Sequence, residues 1–525
     1  MEIYRISRGG STISDNIRNS SEFLKNFDTF KTITRHEEKE ELLHKLKTVN
    51  LEIILQDELE TDLKRNNEVI AFIITNLSIR FFQNVNFIGN KNVLKHRHLG
   101  DYLIRKLEMS HFESDPTHSI IIGTKLISRN NSYFLTSSGW SIYYSKRKPC
   151  NWKEIVYNPL LASFTGAFGF GELYKDVMKD LIFGIDIRDE FIFSFTNSNI
   201  FPENKPEIPS KLDIDLTMVG CGGVGQSIAY LLQFFDLHGQ IRFIDHDKIE
   251  KSNLQRYLLT CPKVINFPKV ILLNNYFENQ QFLYRRYNLQ QWGVALTLSP
   301  ELFYQDEIFV SIDNKRSRNE IQAALPKIIW NSWTGTAPGE LRYGFGKHKL
   351  NTVYQCLACV YFPKEENPGN QMEFNAKILG LTEEELEEKI KKNAIFQQED
   401  LDYTLNHYTL SKDHYQKIRQ LIGNSFKDIF HGHCGLLQGK LGEGHDPTPA
   451  PHIPTLSASV LMIYFILDKL GINDNELEYT VGEYSGFHYP TKFSLFRVKK
   501  NEKCFCNEKI YKNVYCKKWS KKETK

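Results

Sequence analysis

The chain has 525 residues, more than one hydrophobic core usually supports, so two or three domains are expected. Hydrophobic residues make up 41% and charged residues 25%, and 66 basic against 63 acidic side chains leave a net charge of only +3. That balance gives no reason to expect a nucleic-acid or membrane partner, and the 13% aromatic share is more than a disordered chain carries.

The N-terminus, Met1-Glu2-Ile3-Tyr4-Arg5, lacks the apolar core of a signal peptide. The apolar stretches 69–82 and 460–466 are too short or too interrupted to span a bilayer, so a cytoplasmic location is expected. Nine cysteines, an odd number with no secretory signal, read as metal ligands, a nucleophile or core residues rather than a disulfide framework.

Residues 1–200 carry no glycine-rich loop. They contain a polar helical stretch over 37–47 and an alternating strand over 119–122. A hairpin follows through Tyr133-Phe134-Leu135 and Trp140-Ser141-Ile142-Tyr143. A helix dense in small residues opens at Asn158 and ends near Lys179. The segment 201–211, with Pro202, Pro206 and Pro209, reads as a stiff polar linker and places a boundary ahead of a second domain over 212–525.

That second domain opens on a nucleotide-binding pattern. Residues 213–219 form a buried strand, and Val219-Gly220-Cys221-Gly222-Gly223-Val224-Gly225 lets backbone N–H groups meet phosphate oxygens at a helix N-terminus. The helix is expected over 226–235, and a second strand over 241–244 ends in Asp245, twenty residues beyond Gly225, where a carboxylate reaches ribose hydroxyls. By itself the motif also satisfies the dinucleotide fingerprint of a dehydrogenase. The continuation decides between them. Hydride transfer gives no reason for Asn253, Arg256 and Lys269 to follow, whereas ATP needs donors and cations on its β- and γ-phosphates while the α-phosphorus is attacked.

Further along, Val310-Ser311-Ile312-Asp313-Asn314 ends an apolar strand. Cys356-Leu357-Ala358-Cys359 precedes an insertion over 364–431, helical by its caps: Thr382 with Glu385 forms a capping box, and Ser411 can start a second helix. Cys434 lies in His431-Gly432-His433-Cys434-Gly435, where neighbouring imidazoles and exposed backbone would lower a thiol pKa. A second small-residue helix begins at Pro454. Cys504-Phe505-Cys506 and Cys516 close the chain. Two short-spaced thiol pairs suit a tetrahedral Zn²⁺, with a redox pair as the rival for Cys356 and Cys359.

The whole string resembles the ThiF/MoeB/ubiquitin-activating-enzyme superfamily, over roughly residues 210–507. The resemblance implies an α/β, Rossmann-like adenylation fold with Gly220, Gly222, Gly223 and Gly225 under the triphosphate of ATP. It makes Asp245 the ribose acid, with Asp247 beside it. The phosphate ligands would be Asn253, Arg256 and Lys269, and Asp313 would hold Mg²⁺ or the adenylate, with Arg318 at the family spacing. The family usually has Gln where this chain has Tyr257. The zinc ligands would be Cys356, Cys359, Cys504 and Cys506, although the second pair is Cys-x-Cys and Cys516 could replace either member. Cys434 stands where related enzymes accept the activated acyl group.

The two small-residue helices resemble the closing helices of superfamily domains, which implies that residues 1–200 are a degenerate, inactive adenylation-like domain. The chain resembles most the activating enzymes of bacterial ubiquitin-like (Bil-type) antiphage conjugation operons. That likeness implies a single-chain pseudodimer, able to form a higher oligomer. It would adenylate a ubiquitin-like protein, carry it as a thioester and pass it to a conjugating enzyme, with Arg5, Arg8 or Arg35 completing the ATP site. An enzyme activating a sulfur-carrier protein or a peptide, without a thioester, is the alternative.

Overall fold

A computed structural model describes residues 39–110, 115–180, 185–196, 206–277, 307–312, 315–337, 340–361, 381–392, 394–407, 450–472, 481–491 and 494–520, with the single residues 376, 379, 419, 422, 423 and 426. The chain divides into two compact units: Phe362–Asp446, and everything on either side of it.

The larger unit holds two sheets. The first begins with α1 (Lys39–Thr48), β1 (Asn50–Leu55), α2 (Thr61–Phe81), β2 (Asn84–Ile88) and α3 (Gly100–Glu108). It continues through β3 (His118–Ile122), β4 (Ser132–Ser138), β5 (Ser141–Ser145), α4 (Pro159–Met178) and β6 (Glu190–Ser194). The strand order is β2-β1-β3-β4-β5-β6, with the first four parallel and the last two antiparallel. Local chemistry explains the helix starts. Glu60 accepts from the amides of Asp62 and Leu63 ahead of α2, and Asn158 accepts from those of Leu160 and Leu161 ahead of α4, whose first residue is Pro159.

The second sheet is built from β7 (Lys211–Val219), α5 (Gly223–Leu232), β8 (Asp236–Ile244), α6 (Lys269–Asn275), β9 (Glu307–Val310) and α7 (Lys315–Ala323). Then come β10 (Ile328–Ala337), β11 (Glu340–His348), α8 (Leu357–Val360) and, beyond the insertion, α11 (Ile453–Lys469), β12 (Val481–Ser485), β13 (Leu495–Phe496) and α12 (Lys509–Ser520). Its order is β8-β7-β9-β10-β11-β12-β13, again four parallel strands followed by antiparallel ones. The six strands of the first sheet match β7 to β12 in order, with α2 and α4 matching α5 and α11, so the two sheets repeat one connectivity to which the second adds β13.

Helix α4 packs on β4 and β5, α11 packs on β10 and β11, and the two helices pack on each other, so one core runs through both halves. The Phe72 ring of α2 stacks on Tyr230 of α5, with centroids 5.2 Å apart. The small residues of α4 and α11 allow this closeness, and the apolar area removed from water is worth about 25 cal/mol per Å².

The expected helix over 226–235 is α5, three residues earlier at both ends, because Gly223 and Gly225 lie inside its first turn rather than in a loop. The strand expected over 241–244 is β8, which starts at Asp236. The second unit carries α9 (Glu383–Lys391) and α10 (Gln398–His407). Thr382 and Glu385 form the expected capping box, and the Phe396 and Phe426 rings lie 5.4 Å apart. The start expected at Ser411 lies outside the described residues. No helix among them is long and apolar enough to cross a membrane.

Candidate nucleotide-binding site and cysteine cluster

The parallel edge of the second sheet ends in three consecutive turns that converge. After β7 the chain enters Gly220 at φ +96°, where a Cβ would lie 2.5 Å from the Ser311 carbonyl oxygen, and a Cβ on Gly225 would collide with the Gly220 carbonyl. Only glycine fits either place. Ser311 closes the turn from the other side: its N–H donates to the Val219 carbonyl at 2.9 Å and its hydroxyl to the Gly220 carbonyl at 2.8 Å. Among the described residues no side chain caps the N-terminus of α5, which leaves its first amides and the positive end of its dipole available to an anion.

Asp245 follows β8, buried, with both carboxylate oxygens engaged. Oδ2 accepts from the Cys221 amide at 2.8 Å and Oδ1 from the Asp247 amide at 2.9 Å. The carboxylate thereby ties the glycine loop to the second turn. Asn253 is buried and accepts the Glu250 amide at 2.9 Å, shaping the turn that presents Arg256.

The two cations differ. Lys269, buried at the start of α6, donates to Asp247 Oδ2 at 2.8 Å. Burial opposes its charge, but the Tyr257 phenolic oxygen and the Asp245 and Asp247 carboxylates outweigh burial and hold its pKa above the ordinary lysine value. Burial raises the Asp247 carboxyl, yet the Lys269 bond and charge bring it below the ordinary range. Arg256, by contrast, has a buried Nη1 with no hydrogen-bond partner among the described residues. A buried guanidinium donor left unbonded is costly, which points to an anion as its intended partner.

Tyr257 organises the group. Its hydroxyl lies 3.2 Å from where a Cβ on Gly222 would be, and its ring lies 5.3 Å from the Arg256 guanidinium carbon and 5.6 Å from the Lys269 ammonium. The tyrosine that departs from the family pattern is therefore a buried floor under glycine loop and cations alike. Sequence reasoning gave no role to it or to Ser311. A bulky aromatic directly after the motif arginine was the available signal for Tyr257, whereas nothing distinguished Ser311 from an ordinary strand-end serine.

Arg318 is buried in α7 and donates to the Ile312 carbonyl, to Tyr361 Oη and to Asn331 Oδ1, fixing the backbone next to Asp313. Asp313 itself, Cys434 with its histidine neighbours, and Arg5, Arg8 and Arg35 lie outside the described residues.

At α8 and the 3₁₀ turn Phe505–Asn507, four thiols meet. Sγ of Cys356 is 3.7 Å from those of Cys359 and Cys504, and Cys359 Sγ is 3.5 Å from Cys506 Sγ. Four thiolates at about 2.3 Å from Zn²⁺ span tetrahedral edges near ~3.8 Å, so the cluster has the size and donor set of a structural zinc site. Cys516 is exposed on α12 and outside the cluster. The tail helix is also fastened directly, by Tyr515 Oη on the Lys327 carbonyl at 2.6 Å and Trp519 Nε1 on the Leu325 carbonyl at 3.1 Å.

A family model described as the ThiF family matches residues 212–506. Among curated proteins, the chain is similar to "uncharacterized protein y4jF" of Sinorhizobium fredii, 23% identical over 323 residues that cover 60% of each chain. It is also similar to the NEDD8-activating enzyme E1 catalytic subunit of Saccharomyces cerevisiae, 28% identical over 123 residues, 23% of this chain and 40% of that one. The matches thus span less than two thirds of either relative. Among solved structures, the microcin C7 biosynthetic enzyme MccB of E. coli, in complex with N-formylated MccA, aligns over 56% of this chain and 67% of its own at 14% identity and a TM-score of 0.35.

Proposed function

The chain belongs to the ThiF family, and from that premise we propose that it is an ATP-dependent adenylating enzyme acting on the C-terminal carboxylate of a ubiquitin-like protein. The observation that carries the reading is the N-terminus of α5 behind Gly220 to Gly225, uncapped by any side chain among the described residues, with the buried Nη1 of Arg256, likewise without a partner among them, in the same site. The α5 amides and Arg256 take the phosphates, Lys269 exchanges Asp247 for one of their oxygens, and Asp245 orients the ribose and the loop together. Asp313 would hold Mg²⁺ or the adenylate, the metal supplying charge neutralisation at the phosphates. The tail carboxylate attacks the α-phosphorus, pyrophosphate leaves, and an acyl–AMP mixed anhydride remains. The Cys434 thiolate then displaces AMP to give a thioester, which a conjugating enzyme receives. The name of the yeast relative, NEDD8-activating enzyme E1 catalytic subunit, supports this choice of acyl donor. An antiphage role and a cytoplasmic location belong to the same proposal.

The N-terminal half is, in this reading, a copy of the adenylation fold that has lost its nucleotide. Support comes from corresponding positions at the strand ends. After the first strand stands Gln56 where the second half has Gly220, and after the second strand stands Gly89 where it has Asp245. The Glu60 carboxylate already takes the first amides of α2. Glu58 and Gln56 accept from the amides of Thr124 and Lys125, so those loop amides are already taken by the protein's own oxygens. The four-thiol cluster is proposed to hold Zn²⁺ and to fasten the C-terminal segment.

Incubation with ATP and a candidate ubiquitin-like protein should yield an adduct that thiols reverse. Cys434→Ala should abolish the adduct and leave tail-dependent pyrophosphate release intact. Release without any adduct from the wild type would assign the chain to sulfur-carrier or peptide adenylation instead. No release with any such tail would refute the adenylation reading.

A further inference from the structure

The turn that carries Arg256 is held from outside its own sheet. Arg80, in the last turn of α2 and 4% exposed, belongs to the N-terminal half. Its Nη1 donates to the Leu254 carbonyl, and its Nη2 donates to the Thr260 carbonyl at 2.9 Å and the Leu258 carbonyl at 3.5 Å. Asn76, one helical turn earlier and fully buried, accepts from Arg80 Nε at 2.7 Å and donates its own Nδ2 to the Leu258 carbonyl at 3.0 Å.

Leu254 and Leu258 bracket Arg256 and Tyr257. A guanidinium offers donors in a rigid plane, so a single side chain sets the spacing of carbonyls on both sides of Arg256 and Tyr257, the second of which packs on the glycine loop. Burying so large a polar fork in the core is expensive unless its bonds are kept, so the turn has little freedom to relax away from it.

We propose that Arg80 is a positioning residue for ATP: it fixes the turn that presents Arg256, making the affinity of the nucleotide site depend on a residue of the other half that does not touch the nucleotide. The inference rests on the reading of Arg256 as a phosphate ligand. It gives the N-terminal half a use in catalysis that survives the loss of its own nucleotide site.

The test is a double-mutant cycle on the full chain, with ATP dissociation constants from calorimetry and melting temperatures measured alongside. Lysine keeps the charge but cannot span the three carbonyls. Arg80→Lys should therefore weaken ATP on the order of 10-fold, below the about 100-fold that a 1 Å misplacement can cost. In an Arg256→Ala background the same change should weaken ATP no further, because Arg80 acts through Arg256. Asn76→Ala, a milder loss, should show the same non-additivity at about threefold, and it serves as the probe if Arg80→Lys does not fold. Multiplicative effects, or a melting shift with unchanged ATP affinity, would overturn the proposal. If Arg256→Ala weakens ATP and neither bracing variant does, this inference alone falls. A wild type that binds no ATP would overturn both it and the adenylation reading.

Discussion

Replacing Arg256 by Ala separates ligand binding from folding. Nη1 of Arg256 is buried with no partner among the described residues, although the side chain as a whole is only half-buried, so in the free protein that one donor is withdrawn from water without return. Leaving such a donor unsatisfied costs about 1–3 kcal/mol, whereas a hydrogen bond from a charged group contributes about 1.5–3 kcal/mol when its partner arrives. Truncation should thus leave the unfolding free energy of the free protein unchanged or slightly higher. At about 1.4 kcal/mol per decade, kcat/KM for ATP should fall by about 10- to 150-fold. The assays are denaturant unfolding without nucleotide and tail-dependent pyrophosphate exchange across an ATP series. A variant that loses more than about 1 kcal/mol of stability while exchanging at the wild-type rate would refute the reasoning, for Arg256 would then be a structural residue.

Asp245→Asn turns one accepting oxygen into a donor facing the amide of Cys221 or Asp247. It should cost about 1–3 kcal/mol in thermal or denaturant unfolding as well as most ATP binding. Purified protein should contain zinc by mass spectrometry. Cys356→Ser or Cys504→Ser should remove the metal and lower the melting temperature, and Cys516→Ser should change neither. Burial holds His96 at about 4, with the nearby Arg97 and His98 charges adding to the effect, and it holds His452 at about 3, aided by the charge of Lys175. Both values lie below the ordinary 6.5, so the unfolded chain binds protons that the folded chain refuses. The stability they allow is complete above pH 6.5 and declines as the pH falls from there toward 4, by up to about 1.4 kcal/mol per pH unit for each histidine. Unfolding midpoints that stay flat between pH 6.5 and 4.5 would contradict this.

The nucleotide-binding half was legible because its chemistry is local. Glycines that must turn, a carboxylate at a strand end and a cation-bearing turn occur within one stretch of chain, and each needs a particular residue type. The helix at Asn158 and the box at Thr382 were legible for the same reason, since caps are read over a few residues. The long helix α2 was not. Asn66, Asn67, Thr75, Asn76, Ser78 and Arg80 interrupt its apolar pattern, yet all are buried: Asn76 and Arg80 bond carbonyls of the other half, and Asn66 bonds the Ser137 and Val156 carbonyls of its own. Pattern reading assumes that buried faces are apolar, and a polar contact between two halves of one chain breaks that assumption. The repeated sheet connectivity was hinted at only by the two small-residue helices: the first copy has Gln56 and Gly89 where the motif has Gly220 and Asp245, so the likeness rests on strand order and helix placement rather than on motif residues. The sequence already pointed to Cys356, Cys359, Cys504 and Cys506, but that these four thiols meet across about 145 residues of chain, with Cys516 outside the cluster, required the fold.

The central claim is that the cradle between β7 and α5 activates a protein tail at the α-phosphorus of ATP. Isotope exchange between pyrophosphate and ATP, in the presence of a ubiquitin-like protein with its terminal glycine intact and again with that glycine removed, tests it most directly. The account predicts exchange with the first and none with the second. Nicotinamide dinucleotide binding in the same cleft, with no exchange under either condition, would contradict it.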